Sequence, residues 1–74
     1  MNNLIEVADA KTIGERLVKL RGKQTKRKVQ ADTGLGYSAL CMYENGYRIP
    51  NDHAKAILAA YYKVSIESLF YTKE

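Results

Sequence analysis

The chain has one cysteine and one histidine in 74 residues. A single thiol cannot close a disulfide within the chain, and these two residues do not make a metal-ligand set. His53 reads as a surface residue. There is no glycine-rich phosphate loop, no spaced pair of acids and no nucleophile–base constellation, so the common enzyme chemistries have no carrier. The expectation is a protein that is not an enzyme, needs no cofactor and has no evident small-molecule ligand. No apolar stretch approaches the roughly 18–20 residues of a membrane span. The early apolar residues Leu4, Ile5, Val7 and Ala8 are interrupted by Glu6 and Asp9 and have no basic lead, so no signal peptide is read. The unpaired Cys41 suits the reducing cytoplasm. No strand alternation, internal repeat or low-complexity segment stands out, which leaves an all-α reading.

What is present is enough for one domain with a small core, and association of two copies is a natural remedy for such a core. The chain carries 12 Lys and Arg against 8 Asp and Glu, a formal charge of +4. The distribution is more informative than the sum. Arg16, Lys19, Arg21, Lys23, Lys26, Arg27 and Lys28 place seven cations within thirteen residues. Such a cluster is either a solvated face that aids solubility or a positive field for a polyanion.

Capping signals divide the chain into five helices. Residues 1–11 have no clear period and form an arm of no fixed assignment: a loose terminus, an early helical turn or a strand across a dimer. Thr12-Ile13-Gly14-Glu15 matches a capping box, which predicts a first helix from Thr12 to about Gly22 with Ile13, Leu17 and Leu20 on its apolar stripe. Thr25 caps a second helix that runs to about Thr33. Gly34 supplies a sharp turn, and a third helix follows from about Tyr37 to Asn45, stopped by Asn45-Gly46. Arg48-Ile49-Pro50 is an extended link. Asn51 or Asp52 opens a fourth helix over about 52–62, with Ala54, Ile57, Leu58, Tyr61 and Tyr62 on its apolar face. Ser65 caps a short fifth helix from Ile66 to about Tyr71.

Residues 26–45 are the centre of this pattern. Val29, Thr33, Leu35, Leu40 and Tyr43 have the spacing that pins two helices against a third, as in a helix-turn-helix. Three cations open the second helix, at the positive end of its dipole, where acids are preferred. An arriving phosphate would compensate them; the alternative is an exposed basic turn with no fixed contact. In the third helix, Ala39, Leu40 and Tyr43 face inward. Tyr37, Ser38, Cys41 and Met42 face outward, where a major groove would meet them. None of these four is an Arg, Asn or Gln, the side chains suited to bidentate contacts with bases. For Cys41 and Met42, burial is the competing reading. Thr25, Lys26, Arg27, Lys28, Asn45, Tyr47 and Arg48 are the phosphate candidates. Arg21 and Glu44 stand at helix ends that the fold would bring together as an ion pair. Leu69, Phe70 and Tyr71 would finish the core, form a two-fold interface, or share both tasks.

Ile13-Gly-Glu-Arg-Leu17, Leu20-Arg21, Gly34-Leu35, Tyr43-Glu44-Asn45-Gly46, Arg48-Ile49-Pro50 and Val64-Ser65-Ile66-Glu67-Ser68-Leu69-Phe70 together resemble the Cro/CI-type (Xre family) helix-turn-helix regulators, which include the phage lambda-like repressors. The likeness covers about residues 12–71. It implies a lambda-repressor-like five-helix domain that binds double-stranded DNA as a homodimer at a palindromic operator. It also implies that Lys26 and Asn45 meet phosphates, that Tyr37, Ser38, Cys41 and Met42 face bases, and that Arg21 pairs with Glu44. The chain departs from the pattern at Lys26, where the family usually has Gln, at Gln30, where it has a small residue, and at Lys63, where a glycine often ends the fourth helix. The link before the second helix is also about two residues short. Other uses of the same scaffold are an antitoxin or restriction-system control protein, and a protein-interaction module that has lost DNA binding.

Overall fold

Each helix begins where a short polar side chain, or a glycine, meets an extended backbone. In the computed structural model, which describes residues 5–73, the order is β1 (Ile5–Val7), α1 (Ala10–Arg21), α2 (Lys26–Thr33), α3 (Tyr37–Glu44), α4 (Asp52–Tyr62), α5 (Ile66–Phe70) and β2 (Tyr71–Lys73). Thr25 accepts from the amide of Lys28 at 3.1 Å, Asn51 from that of Ala54 at 2.9 Å, and Ser65 from that of Ser68 at 3.0 Å. Each bond satisfies one of the donors that a helix start leaves open. Gly36 opens α3 with no side chain to offer. Lys63 ends α4 in the left-handed region, at φ 59° and ψ 44°.

The start of α1 departs from the capping-box expectation. Asp9, not Thr12, is the cap, and its Oδ1 accepts from the Thr12 amide at 2.8 Å. A carboxylate at this position also favours the helix dipole, so the helix takes in Ala10 and Lys11. The same bond holds the Asp9 carboxyl below its ordinary pKa.

The core is one cluster. Ile13 and Leu17 of α1, Val29 of α2, Leu40 and Tyr43 of α3, Ala54 and Leu58 of α4, and Leu69 and Phe70 of α5 all point into it. Leu20 is only partly buried at its edge. The tightest approach is between α1 and α3. A Cβ on Gly14 would stand 2.6 Å from the Glu44 carbonyl oxygen and 2.8 Å from that of Tyr43. Gly46, at φ 77°, continues this contact beside Lys11.

The all-α expectation needs a small correction. Ile5–Val7 and Tyr71–Lys73 pair antiparallel, with Val7 opposite Tyr71 and Glu6 opposite Thr72. The Ala8 amide donates to the Phe70 carbonyl at 2.9 Å, and Ala8 is buried. Residues 5–9 are therefore packed on the domain rather than loose; residues 1–4 of the expected arm lie outside the described residues. Arg16 reinforces the closure. Its Nη1 donates to the Leu69 carbonyl at 3.1 Å and to that of Tyr71 at 3.0 Å, which satisfies acceptors where α5 ends.

Of the tasks read for Leu69 and Phe70, finishing the core is the one the fold shows. They are 1% and 0% exposed within a single copy of the chain. They close its own core and have no surface left for a partner. Tyr71 is half-buried in β2.

Two substitutions test the packing. Gly14→Ala gains about 1 kcal/mol of helix propensity, but the new methyl meets backbone carbonyls that cannot swing aside. A net loss of about 1–3 kcal/mol is expected in urea unfolding; a gain would contradict the close contact. Lys63→Gly should raise stability by about 0.5–1 kcal/mol by relieving the left-handed strain.

Candidate functional site

The turn between α2 and α3 is Gly34-Leu35-Gly36. Gly34 takes φ 78° and its amide donates to the Gln30 carbonyl at 2.9 Å. The Thr33 hydroxyl donates to the Val29 carbonyl at 2.7 Å and accepts from the Leu35 amide at 3.2 Å. Thr33 thus links the end of α2 to the turn, and Leu35 packs against the core. Gln30 is only partly buried, so its longer side chain keeps an outlet and does not have to fit wholly between the helices.

With Leu40 and Tyr43 buried, the opposite side of α3 is open. Ser38 is exposed and Met42 is 43% exposed; Tyr37 and Cys41 are partly buried. Cys41 therefore sits between its two sequence readings, neither sealed in the core nor fully open. This face carries no carboxylate. Beyond it, the Asn45 amide donates to the Cys41 carbonyl at 2.9 Å and closes the helix. Asn45, Tyr47 and Arg48 are exposed on the following loop, before Pro50 returns the chain to the interior.

The rear of α3 is held by charge as well as by packing. Arg21 grips Glu44 with two parallel bonds, Nε to Oε2 at 2.8 Å and Nη2 to Oε1 at 3.0 Å. Its remaining Nη1 donates to the Gln24 carbonyl at 2.6 Å. The fork therefore joins the ends of α1 and α3 to the α1–α2 link, just before the Thr25 cap. Little of the Glu44 side chain, 6%, is exposed. Glu44 strengthens the Arg21 charge and raises its pKa. Tyr62 lies near the pair. Burial first, and the Glu44 charge second, push its hydroxyl up to about 12.

The basic run does not form one patch. Arg16 is turned to the end of α5 and Arg21 to Glu44. Lys28 pairs with Asp32 at 2.9 Å, one turn along α2. Asp32 Oδ2 also accepts from the Tyr61 hydroxyl at 2.6 Å, and that hydroxyl lies 2.9 Å from Gln24 Oε1. These bonds lower the Asp32 pKa and raise those of Lys28 and Tyr61. Arg27 goes the other way: its guanidinium carbon stands 4.2 Å from the centre of the Tyr37 ring. Lys19, Lys23 and Lys26 form no ion pair among the described residues. Two of the three cations at the start of α2 thus swing away from its positive end, which reduces the repulsion their position suggests.

Asp32 and Gln24 were not singled out by sequence reading, and Arg16, Tyr61 and Gly14 entered it only as part of the basic run, an apolar face and a capping box. Only Asp32 left a local signal, an i, i+4 spacing from Lys28. The others act across 29 residues or more, or through a backbone contact that no side-chain pattern encodes.

Glu44→Gln keeps the shape and removes the charge, and should cost about 1.5–3 kcal/mol by weakening charge-assisted hydrogen bonds. It should also lower the Tyr62 titration midpoint from about 12 toward the ordinary 10, followed by tyrosinate absorbance. The Tyr62 pKa is raised by folding, so its contribution to stability is full below pH 10 and is lost as pH rises toward 12. Tyr62→Phe should remove that part of the alkaline decline; an unchanged decline would contradict the assignment. No family model matches the chain, and no curated protein or solved structure matches it either.

Proposed function

We propose that the chain is a sequence-specific DNA-binding regulator of transcription built on a Cro/CI-type helix-turn-helix. The observation that carries this reading is the posture of α3. The helix is fixed from behind by the Gly14 contact and the Arg21–Glu44 fork, while its Tyr37, Ser38, Cys41 and Met42 face stands open and free of carboxylates. A rigid helix presented in this way fits a major groove, and its uncharged outer face does not repel a polyanion.

Phosphate contacts would flank α3 at both ends. Lys26 and the amides at the start of α2 serve one end, with Thr25 already committed to the Lys28 amide. Asn45, Tyr47 and Arg48 serve the other. Lys28 is a weaker contributor than sequence position suggests, because Asp32 already neutralises it. Ser38 offers a hydroxyl to a base edge, and Cys41 and Met42 offer apolar contact to a thymine methyl.

The reading includes a homodimer on a palindromic operator, with half-site centres about 34 Å apart. The two-fold contact lies elsewhere than on Leu69 and Phe70. Binding over a promoter would repress by excluding polymerase. No helix among the described residues is long and apolar enough to cross a membrane, and a cytoplasmic location goes with this role. The Lys28–Asp32 pair favours one other reading, an interaction module in which part of the basic run serves internal structure.

Binding to random duplexes and to duplexes selected from a randomised pool, measured across salt, separates these readings. Lys26→Ala should flatten the slope of log K against log salt by about 0.9 for both duplex types. Asp32→Asn releases Lys28 and should steepen it by a similar amount. Ser38→Ala or Met42→Ala should change the ranking of selected sites. Slopes that ignore both charge changes, together with a site ranking that ignores Ser38→Ala and Met42→Ala, would exclude DNA as the partner of this face.

A further inference from the structure

The outer face of α3 has no planar side chain able to grip a base edge with two bonds. We infer that Arg27 of α2 supplies it, as a reader of guanine held in place by Tyr37. This inference rests on the DNA-binding reading and adds to it the residue and the base class that set specificity.

The geometry separates Arg27 from its neighbours in the run. Its guanidinium lies over the Tyr37 ring at 4.2 Å from the centroid. A guanidinium that stacks on an aromatic face keeps its N–H donors free at its edge, in the plane. Tyr37 is the first residue of α3 and is partly buried, so the ring is a fixed support. The fork is thereby held at the entrance to the face that carries Ser38, Cys41 and Met42. Arg27 is itself exposed and forms no ion pair among the described residues. Lys28 is bound to Asp32, and Lys26 is a point charge without a plane. Arg27 is the cation of the run that is both oriented and available.

In the major groove, guanine presents O6 and N7 as two adjacent acceptors, which match an arginine fork. A stacked arginine has already given up part of its side-chain freedom, so less is lost when the two bonds form. Phosphate is the competing acceptor for the same fork. The two differ in one respect: a phosphate contact is the same at every sequence, and a guanine contact is not.

The test uses the intact chain and duplexes selected from a randomised pool. Arg27→Lys keeps the charge and loses the fork. It should weaken binding to the selected duplex by about 5- to 150-fold, the range for one bidentate base contact, with random-duplex affinity and the salt slope unchanged. Tyr37→Phe keeps the ring and should keep the selectivity. Tyr37→Leu removes the ring and should lower it. Replacing each guanine of the selected site in turn with 7-deazaguanine should weaken wild-type binding at one position per half-site, and Arg27→Lys should be insensitive there. If Arg27→Lys weakens selected and random duplexes equally, or if its 7-deazaguanine profile matches the wild type, Arg27 is not a guanine reader. If the wild type binds neither duplex, or binds both equally, the DNA reading falls first and this inference with it, and that result is seen before any variant is made. Circular dichroism of each variant confirms that the helices are retained.

Discussion

α1 and α3 cross so closely that a methyl group at Gly14 would strike the last carbonyls of α3. Everything proposed for α3 depends on this contact. It fixes how far the helix sinks toward the core, and so how much of its far side remains outside. Arg21 and Glu44 then fix its rotation, because a two-bond fork tolerates little twist. Packing sets the depth and charge sets the angle. The ion pair sits at the edge of the core, where its cost of desolvation is moderate and its value is geometric.

The cations show how the fold redistributes charge that sequence places together. Arg16 and Arg21 are structural: one closes the chain end onto α1 and the other anchors α3. Lys28 is tied to Asp32, which also takes the Tyr61 hydroxyl and so joins α2 to α4. Arg27 leans onto the start of α3, through Tyr37. A charge count therefore overstates the field available to a polyanion, and the direction of each side chain decides what it serves.

Much of this fold was legible because capping is local. Thr25, Asn51 and Ser65 each lie three residues from the amide they satisfy, and α2, α4 and α5 start directly after them. The Gly34 turn was legible for the same reason, whereas the end of α4 at Lys63 was read only from the resemblance, in which a glycine often stands there. Two competing caps near the start of α1 defeated the local rule, since Asp9 had to be weighed against Thr12. The β1–β2 pairing was not legible: three-residue strands are too short to show alternation, and their partners lie at opposite ends of the chain. For Leu69 and Phe70 the sequence left core and two-fold interface open together; the Arg16 bonds and β2 draw them under the domain. In the candidate site, the faces of α3 followed from helical period, whereas the Arg27–Tyr37 stack and the Tyr61–Asp32 bond required the tertiary structure.

If the open side of α3 meets DNA, amide chemical-shift mapping with a duplex selected from a randomised pool should show the largest changes at Lys26 and Arg27, along Tyr37 to Met42, and from Asn45 to Arg48, with little change in α5 and β2. Changes concentrated in α5 or β2, or none at any residue at low salt, would contradict that contact.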